Sequence, residues 1–272
     1  MSCARLLAMS ESPSVLILTP VKNASVFLPR YFELLMALDY LPSRLSLGFL
    51  VGNSADRSHD DIMARLPELQ SRYPRVELLT KDFPAAFEGS RRRPEVQLIR
   101  RATIAKARNW LLAACLRDEA WVLWLDVDLV EYPPDLLKTL LHSEKHVVTA
   151  NCLHEYDDRS FDLNTYIVTH RSSLAQVWWR WRYTTHGLFQ PPAHVGRRYL
   201  DECRGQLQVE VDGVGGTVLL VCADLHREGL NFPVFPCEGL IETEGLAVSA
   251  RKMGYSCWGL PDLIVRHTDC PP

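Results

Sequence analysis

Short apolar runs of strand length recur along this chain between segments of helical periodicity, and that alternation limits the fold more than any other feature does. Residues 14–19 read as a buried first strand stopped by Pro20, with Asn23 or Ser25 placed to cap a helix over about 27–40. Leu45–Val51 predicts a second strand ending in the turn Gly52-Asn53-Ser54, and Ser58 is expected to cap a helix carrying Ile62, Leu66 and Leu69. Residues 76–79 predict a third strand. Residues 81–94 lack a period and predict a mobile loop, whereas Ile99, Ala102, Ala107, Leu111 and Leu116 mark a long helix over 95–117. A strand at 120–125, a helix opened by Pro133-Pro134 and a strand at 147–150 follow. The second half is less regular, with a strand at 217–222 after Gly213-Val-Gly-Gly216, a helix at 242–253 closed by Gly254, and a short last strand at 263–265.

This order predicts an α/β fold, a mostly parallel twisted sheet flanked by helices. No repeat or linker interrupts it, so residues 13–272 read as one domain after a tail at 1–12. Within it, 13–130 is the expected nucleotide-binding half and 131–272 the acceptor-binding half. Hydrophobic residues make up 47% and charged residues 23% of the chain, enough apolar material for a packed core. The formal charge of −3 supplies no general field for nucleic acid, although Arg91, Arg92 and Arg93 cluster, as do Arg180 and Arg182 among tryptophans. That tryptophan-rich stretch, 178–183, suits a sugar-stacking wall or a partner contact, against core tryptophans with solvated arginines.

No stretch approaches the ~20 apolar residues that span a bilayer, and residues 1–12 lack a signal-peptide core. The expectation is a cytoplasmic protein if the chain is complete, or an anchor lying outside it. Eight scattered cysteines without a C-x-x-C pair argue against a zinc module, and Cys222, ending an apolar run, is expected to be a buried free thiol.

The chemistry concentrates where Trp121-Val-Leu-Trp-Leu125 runs into Asp126-Val127-Asp128. A strand that apolar is buried on both faces, so carboxylates at its end emerge at the carboxyl edge of the sheet, where open α/β sheets bind ligands. Two carboxylates one residue apart can share a hard divalent cation, which would neutralise a diphosphate leaving group. On the preceding helix Lys106 and Asn109 share a face, and Arg108 beside them is placed to meet phosphate. Thr19, Pro20 and Asn23 at the first strand's exit, and Asn53 at the second's, suit a base or ribose. Glu242 and Glu244 open a helix, as dipole-favoured acids do, or aim a carboxylate at an acceptor hydroxyl. His267 ends a strand and could complete an octahedral site if the fold brings it to the aspartates.

Ala105–Asn109 with Trp121–Asp128, Asp212-Gly-Val-Gly-Gly216, Gly229-Leu-Asn-Phe-Pro233, Glu242-Thr-Glu-Gly245, Gly259-Leu-Pro261 and His267 resemble, in the same order, the fungal Golgi mannan-polymerase subunits of glycosyltransferase family 62. The resemblance covers nearly everything from residue 14 to 269. It implies a single GT-A (Rossmann-like) domain, GDP-mannose as donor, Mn²⁺ or Mg²⁺ as cofactor, and retaining α-mannosyl transfer to a glycan or other hydroxyl. It would make Asp126 and Asp128 the D-x-D motif, with Val127 in the donor site, and His267 the third metal ligand. Asp128, Glu242 and Glu244 would then be the catalytic group. It implies a Golgi lumenal location and is compatible with a homo- or hetero-oligomer. The cytosolic tail, anchor and stem usual in that family are not in this sequence, which leaves another acceptor or nucleotide sugar open.

Three rivals follow from the same residues. A haloacid-dehalogenase-like phosphohydrolase also ends an apolar strand in D-x-D, but after its first strand, whereas three expected strands precede this one. His59-Asp60-Asp61 resembles a phosphohydrolase His-Asp doublet, yet helix-start chemistry accounts for it. A non-catalytic donor-binding scaffold subunit is the third. The missing G-x-G-x-x-G after the first strand argues against a dehydrogenase.

Overall fold

The computed structural model describes residues 12–84, 94–170 and 172–269. The first half builds β1 (Val15–Val21), α1 (Leu28–Met36), β2 (Leu45–Val51), α2 (Ser58–Arg72), β3 (Arg75–Thr80), α3 (Pro94–Cys115) and β4 (Trp121–Leu125). After it come β5 (Leu129–Glu131), α4 (Leu136–His142), β6 (Val147–His154), β7 (Ile167–Val168), α5 (Ser173–Tyr183), β8 (Thr184–Thr185), β9 (Leu188–Phe189) and β10 (Arg197–Arg198). The chain closes with β11 (Val209–Val211), β12 (Val218–Cys222), α6 (Ala223–Arg227), α7 (Glu242–Lys252) and β13 (Cys257–His267).

One large sheet runs β11-β13-β6-β12-β4-β1-β2-β3, with β5 pairing β13. β3, β2, β1 and β4 are mutually parallel, β12 lies antiparallel between β4 and β6, and β13 pairs parallel with β6. Every residue of β2, β4 and β12 is buried, which is why these strands read as continuous apolar runs. From β1 the chain moves outward through β2 and β3, then crosses back to lay β4 on β1's other side. The β1/β4 boundary is therefore the topological switch point, and the loops leaving β1, β2 and β4 open a crevice there.

Several local expectations change. β1 continues through Pro20, which pairs Leu50 of β2. Pairing with β4 stops at Leu18, so proline's missing N–H falls where no ladder partner is required on that side. The three expected caps do other work: neither α1, entered from Phe27, nor α2, entered from Arg57, has a side-chain cap. Asn23 Oδ1 instead accepts from Ala55 N at 2.8 Å, Ser58 Oγ accepts from Ala24 N at 2.8 Å, and Ser25 donates to Asp61. These bonds knit the β1 exit to the β2 exit and fix one wall of the crevice.

The expected short last strand is the long β13, whose register shifts between Leu260 and Ile264 around Pro261. Cys222 is disulfide-bonded rather than free; a buried disulfide is as apolar as a buried thiol, so hydropathy did not separate them. The tail at 1–11 and most of the expected loop, including Arg91, Arg92 and Arg93, lie outside the described residues. Among the described residues no helix is long and apolar enough to cross a membrane.

Candidate functional site

A cleft of about 360 Å³ opens at the switch point. Pro20 and Asn23 from the β1 exit and Asn53 from the β2 exit form one wall, and Asp126, Val127 and Asp128 form the floor where β4 ends. Asn23 and Asn53 hold left-handed backbone, φ 50° and 53°, a conformation that asparagine tolerates better than most side chains. Asn53 is fixed further: its N–H donates to Asp82 Oδ1 at 2.6 Å and its Oδ1 accepts from Phe83 N at 2.9 Å. Phe83 gives the wall an apolar surface, while Lys22 and Arg100 bring positive charge to the same cleft.

Arg108 reaches the floor from α3. Its Nη2 lies 3.2 Å from Asp126 Oδ1, its Nε 3.3 Å from Glu242 Oε1, and its guanidinium packs over Trp124 and Phe232. A Cβ at Gly216 would overlap that guanidinium, and one at Gly215 would overlap the Asp162 carboxylate. Two glycines of the Gly213-Val-Gly-Gly216 run thus leave room for Arg108 and Asp162. Asp126 keeps 28% of its side chain open to the cleft yet lies deep within the protein. Desolvation raises its pKa above the usual carboxylate range, Arg108 opposes the shift, and Asp128 adds repulsion. Asp162 is raised mainly by burial too, although Asn164 N and Thr217 Oγ1 donate to it at 3.0 and 3.1 Å.

β13 brings His267 beside β5 and the end of β4, its Nε2 2.9 Å from Asp128 Oδ1 and its ring stacked on Phe161 at 3.8 Å. The other ring nitrogen, Nδ1, lies 2.7 Å from the Thr268 carbonyl oxygen. A carbonyl only accepts, so Nδ1 carries a proton, and in the neutral ring Nε2 presents a lone pair toward a carboxylate. That facing is repulsive unless a proton or a cation lies between. An imidazole anchored to a backbone carbonyl through its second nitrogen is also the usual support of a metal-bound histidine. Two carboxylates and one such nitrogen suit a hard or borderline divalent cation, and the half-buried acids Asp126 and Asp162 with the buried Glu242 leave negative charge for it to offset. As they stand, no three His, Cys, Asp or Glu side chains among the described residues already surround a common metal position. Asp128 and His267 face each other instead.

The sequence matches the Anp1 family over residues 4–236. The chain belongs to the Anp1 family. It is 34% identical over 270 residues to the mannan polymerase complex subunit mnn9 of Schizosaccharomyces pombe, covering 93% of this chain and 79% of that protein. Against the mannan polymerase II complex ANP1 subunit of Saccharomyces cerevisiae the identity is 30% over 278 residues, covering 94% and 55%. Among solved structures, the mannosyltransferase PcManGT from Pyrobaculum calidifontis in complex with GDP-Man and Mn²⁺ superposes with a TM-score of 0.54 at 14% identity, over 97% of this chain and 61% of that one. GalNAc-T7 with UDP, GalNAc and Mn²⁺ superposes with a TM-score of 0.56 at 10% identity, over 96% and 45%. The fold is thus GT-A, a mostly parallel central sheet flanked by helices. D-x-D follows the fourth strand of this fold, which removes the dehalogenase reading.

In this Anp1-family chain some expected site residues stand outside the cleft. Thr19 is fully buried and its hydroxyl pairs with Tyr31 Oη at 2.7 Å, because it sits inside β1 rather than at its exit. Lys106 is exposed and does not line the cleft. Asn109 is turned the other way: its amide exchanges two bonds with the Phe232 backbone, at 2.8 and 2.9 Å, and pins the segment before α7 to α3. Arg108, between them, is the one that reaches inward, since neighbours on a helix point about 100° apart. Glu244 is taken up by Arg101 at 2.5 Å and Arg197 at 2.7 Å, so it is not aimed at an acceptor. Glu242, in left-handed backbone at φ 58°, faces Arg108. His59 lies on α2, away from the cleft-lining residues, and pairs weakly with Asp60. Asp162, Arg101 and Arg197 were missed from sequence; the glycine run was the one trace of Asp162.

Proposed function

We propose that this chain transfers an α-mannosyl residue from GDP-mannose to a glycan hydroxyl, with retention, in a reaction requiring Mn²⁺ or Mg²⁺. The observation that carries the reading is the Asp126/Asp128 pair at the end of β4, opening into a cleft at the topological switch point with His267 alongside. Family membership supports mannosyl transfer, since the relatives are mannan polymerase subunits. The structural neighbour bound to GDP-Man and Mn²⁺ indicates that the fold accommodates such a donor.

Asp126, Asp128 and His267 would hold the cation, which when bound would supply charge neutralisation for the diphosphate leaving group. Pro20, Asn23, Asn53 and Phe83 receive the nucleoside, and Lys22 and Arg100 face the anionic part of the donor. Arg108 keeps Asp126 in its charged, ligating form and is itself held by Glu242. Glu244 positions Arg101 and Arg197 beneath the acceptor side. Among the described residues Glu242 and Glu244 are held by arginines and Asp162 by Asn164 and Thr217, so the acceptor oxygen attacks from the face the diphosphate leaves, giving its proton to the departing phosphate. By resemblance the chain works in the Golgi lumen with a second subunit.

A thermal-shift panel with GDP and UDP, each with and without Mn²⁺, tests the donor and metal together. A shift with GDP that needs Mn²⁺ and disappears in Asp128→Ala is expected, since a ligand confined to the native state raises stability with its concentration over Kd. Equal shifts with UDP, or metal-dependent mannosyl transfer by Asp128→Ala at the wild-type rate, would overturn the reading. Donor binding without any turnover would favour the scaffold alternative.

A further inference from the structure

Helix α5 is seated by one tryptophan and exposes two others. Trp179 is 2% exposed, packs on Phe189 at 4.5 Å and donates from Nε1 to the Val195 carbonyl at 3.1 Å. The opposite face carries Leu174, Val177, Trp178 and Trp181 at 83, 68, 58 and 76% exposure, spaced i, i+3, i+4, i+7. Such a stripe on a helix normally faces a core. Here it faces outward, and Phe235, on the segment whose Glu238 carbonyl accepts from Arg180, is 82% exposed as well.

The charge around this face narrows what covers it. Between Asp162 and Asp201 there is no aspartate or glutamate, while Arg180 and Arg182 lie on α5 and Arg198 is exposed on β10; Arg197 is buried and neutralised by Glu244. The whole chain, by contrast, has 33 acidic against 30 basic residues, so this stretch is a local basic excursion on an acidic protein. A second copy docked about a two-fold axis would set that excursion against itself, which like-charge repulsion disfavours. A face of Leu, Val and Trp flanked by arginine matches the interface of an anionic lipid leaflet. There aliphatic side chains enter the acyl boundary, indoles sit at headgroup depth and arginines remain among phosphates.

We infer that α5 is a monotopic membrane-docking helix, inserting its Leu174–Trp181 stripe into an anionic lipid surface. This goes beyond the transfer reaction and does not depend on it. Its seat, where Trp179 packs with Leu240 and with Val248 of α7, joins α5 to the helix that begins with Glu242, so docking would hold that helix close to the lipid surface.

Flotation of the full chain with vesicles of phosphatidylcholine, with and without phosphatidylserine, tests this. Binding to the anionic vesicles is expected, with a blue shift of tryptophan emission and weakening as salt is added. Trp178→Ser/Trp181→Ser should reduce that binding at least about tenfold with an unchanged Tm, because both side chains are exposed. Arg182→Glu should weaken binding to the anionic vesicles alone. The inference fails if the wild type does not float with anionic vesicles, or if the double variant floats equally well. It also fails if the double variant instead abolishes self-association or retention on immobilised mannan while vesicle binding is absent.

Discussion

The guanidinium of Arg108 is buried, stacked between Trp124 and Phe232, and shared by Asp126 and Glu242. Removing it strands the buried Glu242 carboxylate and takes the one contacting cation from Asp126 at the cleft floor, the costly way to break a buried pair. Arg108→Met is therefore expected to cost about 3–5 kcal/mol in urea unfolding and to abolish donor binding. Glu242→Gln in the same background should recover part of the loss, because it removes one of the stranded charges. Additive losses in the double-mutant cycle, with no coupling beyond about 0.5 kcal/mol, would show that Glu242 does not act through Arg108. The backbone shares the constraint: a methyl group at position 216 needs the space the guanidinium occupies. Gly216→Ala should cost about 1–3 kcal/mol and weaken the metal-dependent GDP shift, checked by thermal melts with and without nucleotide. An unchanged shift would mean that Arg108 can move aside without consequence.

At the scale of elements, what could be read in advance followed burial. β2 and β4, covered on both faces, announce themselves as unbroken apolar runs, and Asp126 and Asp128 were legible because they end such a run. β13 alternates buried and half-exposed residues, contains Pro261 and changes register, so only its apolar middle was visible. α5 carries the helical spacing Leu174, Val177, Trp178 and Trp181, but its tryptophans and arginines directed the reading to a sugar-stacking wall, a partner contact or core filling rather than to a helix. Asp162, Arg101 and Arg197 left almost no local signal: their roles arise from strands and helices that meet only in the folded chain. The same distinction sets mutational cost. Leu123, fully buried at the centre of β4, cannot be truncated without leaving a cavity between the helical layers. Leu123→Ala should therefore cost about 2–5 kcal/mol. Trp181→Ala, on the open face of α5, should stay within about 0.5 kcal/mol despite the larger side chain. Chemical denaturation of both variants decides it, and a Trp181 cost equal to that of Leu123 would mean that α5 is covered in the native state.

Over the whole molecule, the pH dependence of folding separates groups that the sheet buries neutral from those it buries charged. His226 on α6 is 6% exposed, with Nδ1 2.6 Å from the Leu230 carbonyl and Nε2 against Trp124 without a hydrogen-bond partner. Desolvation is the main cause that lowers its pKa from 6.5 to about 4, with the Leu230 carbonyl pulling the other way and Arg227 adding a little. An unfolded chain binds the proton near 6.5 and the folded one only near 4, so between those values the unfolded state carries more protons. Stability must then fall as pH drops through this window. The span of about 2.5 units corresponds to roughly 3 kcal/mol when fully traversed. Asp126 and Asp162 act oppositely, because burial raises their folded pKa values and acidification relieves them. The measured profile of the native protein therefore mixes both signs, and a single titration would not isolate either. Subtracting the profile of His226→Gln does, since the carboxylates are common to both proteins. The difference in unfolding free energy between wild type and His226→Gln should shrink by about 3 kcal/mol from pH 7.5 to pH 4, read from urea midpoints at several pH values. A difference that stays flat across that range would mean that His226 is hydrated or protonated in the folded state, and that the packing between α6 and β4 is looser than its burial implies.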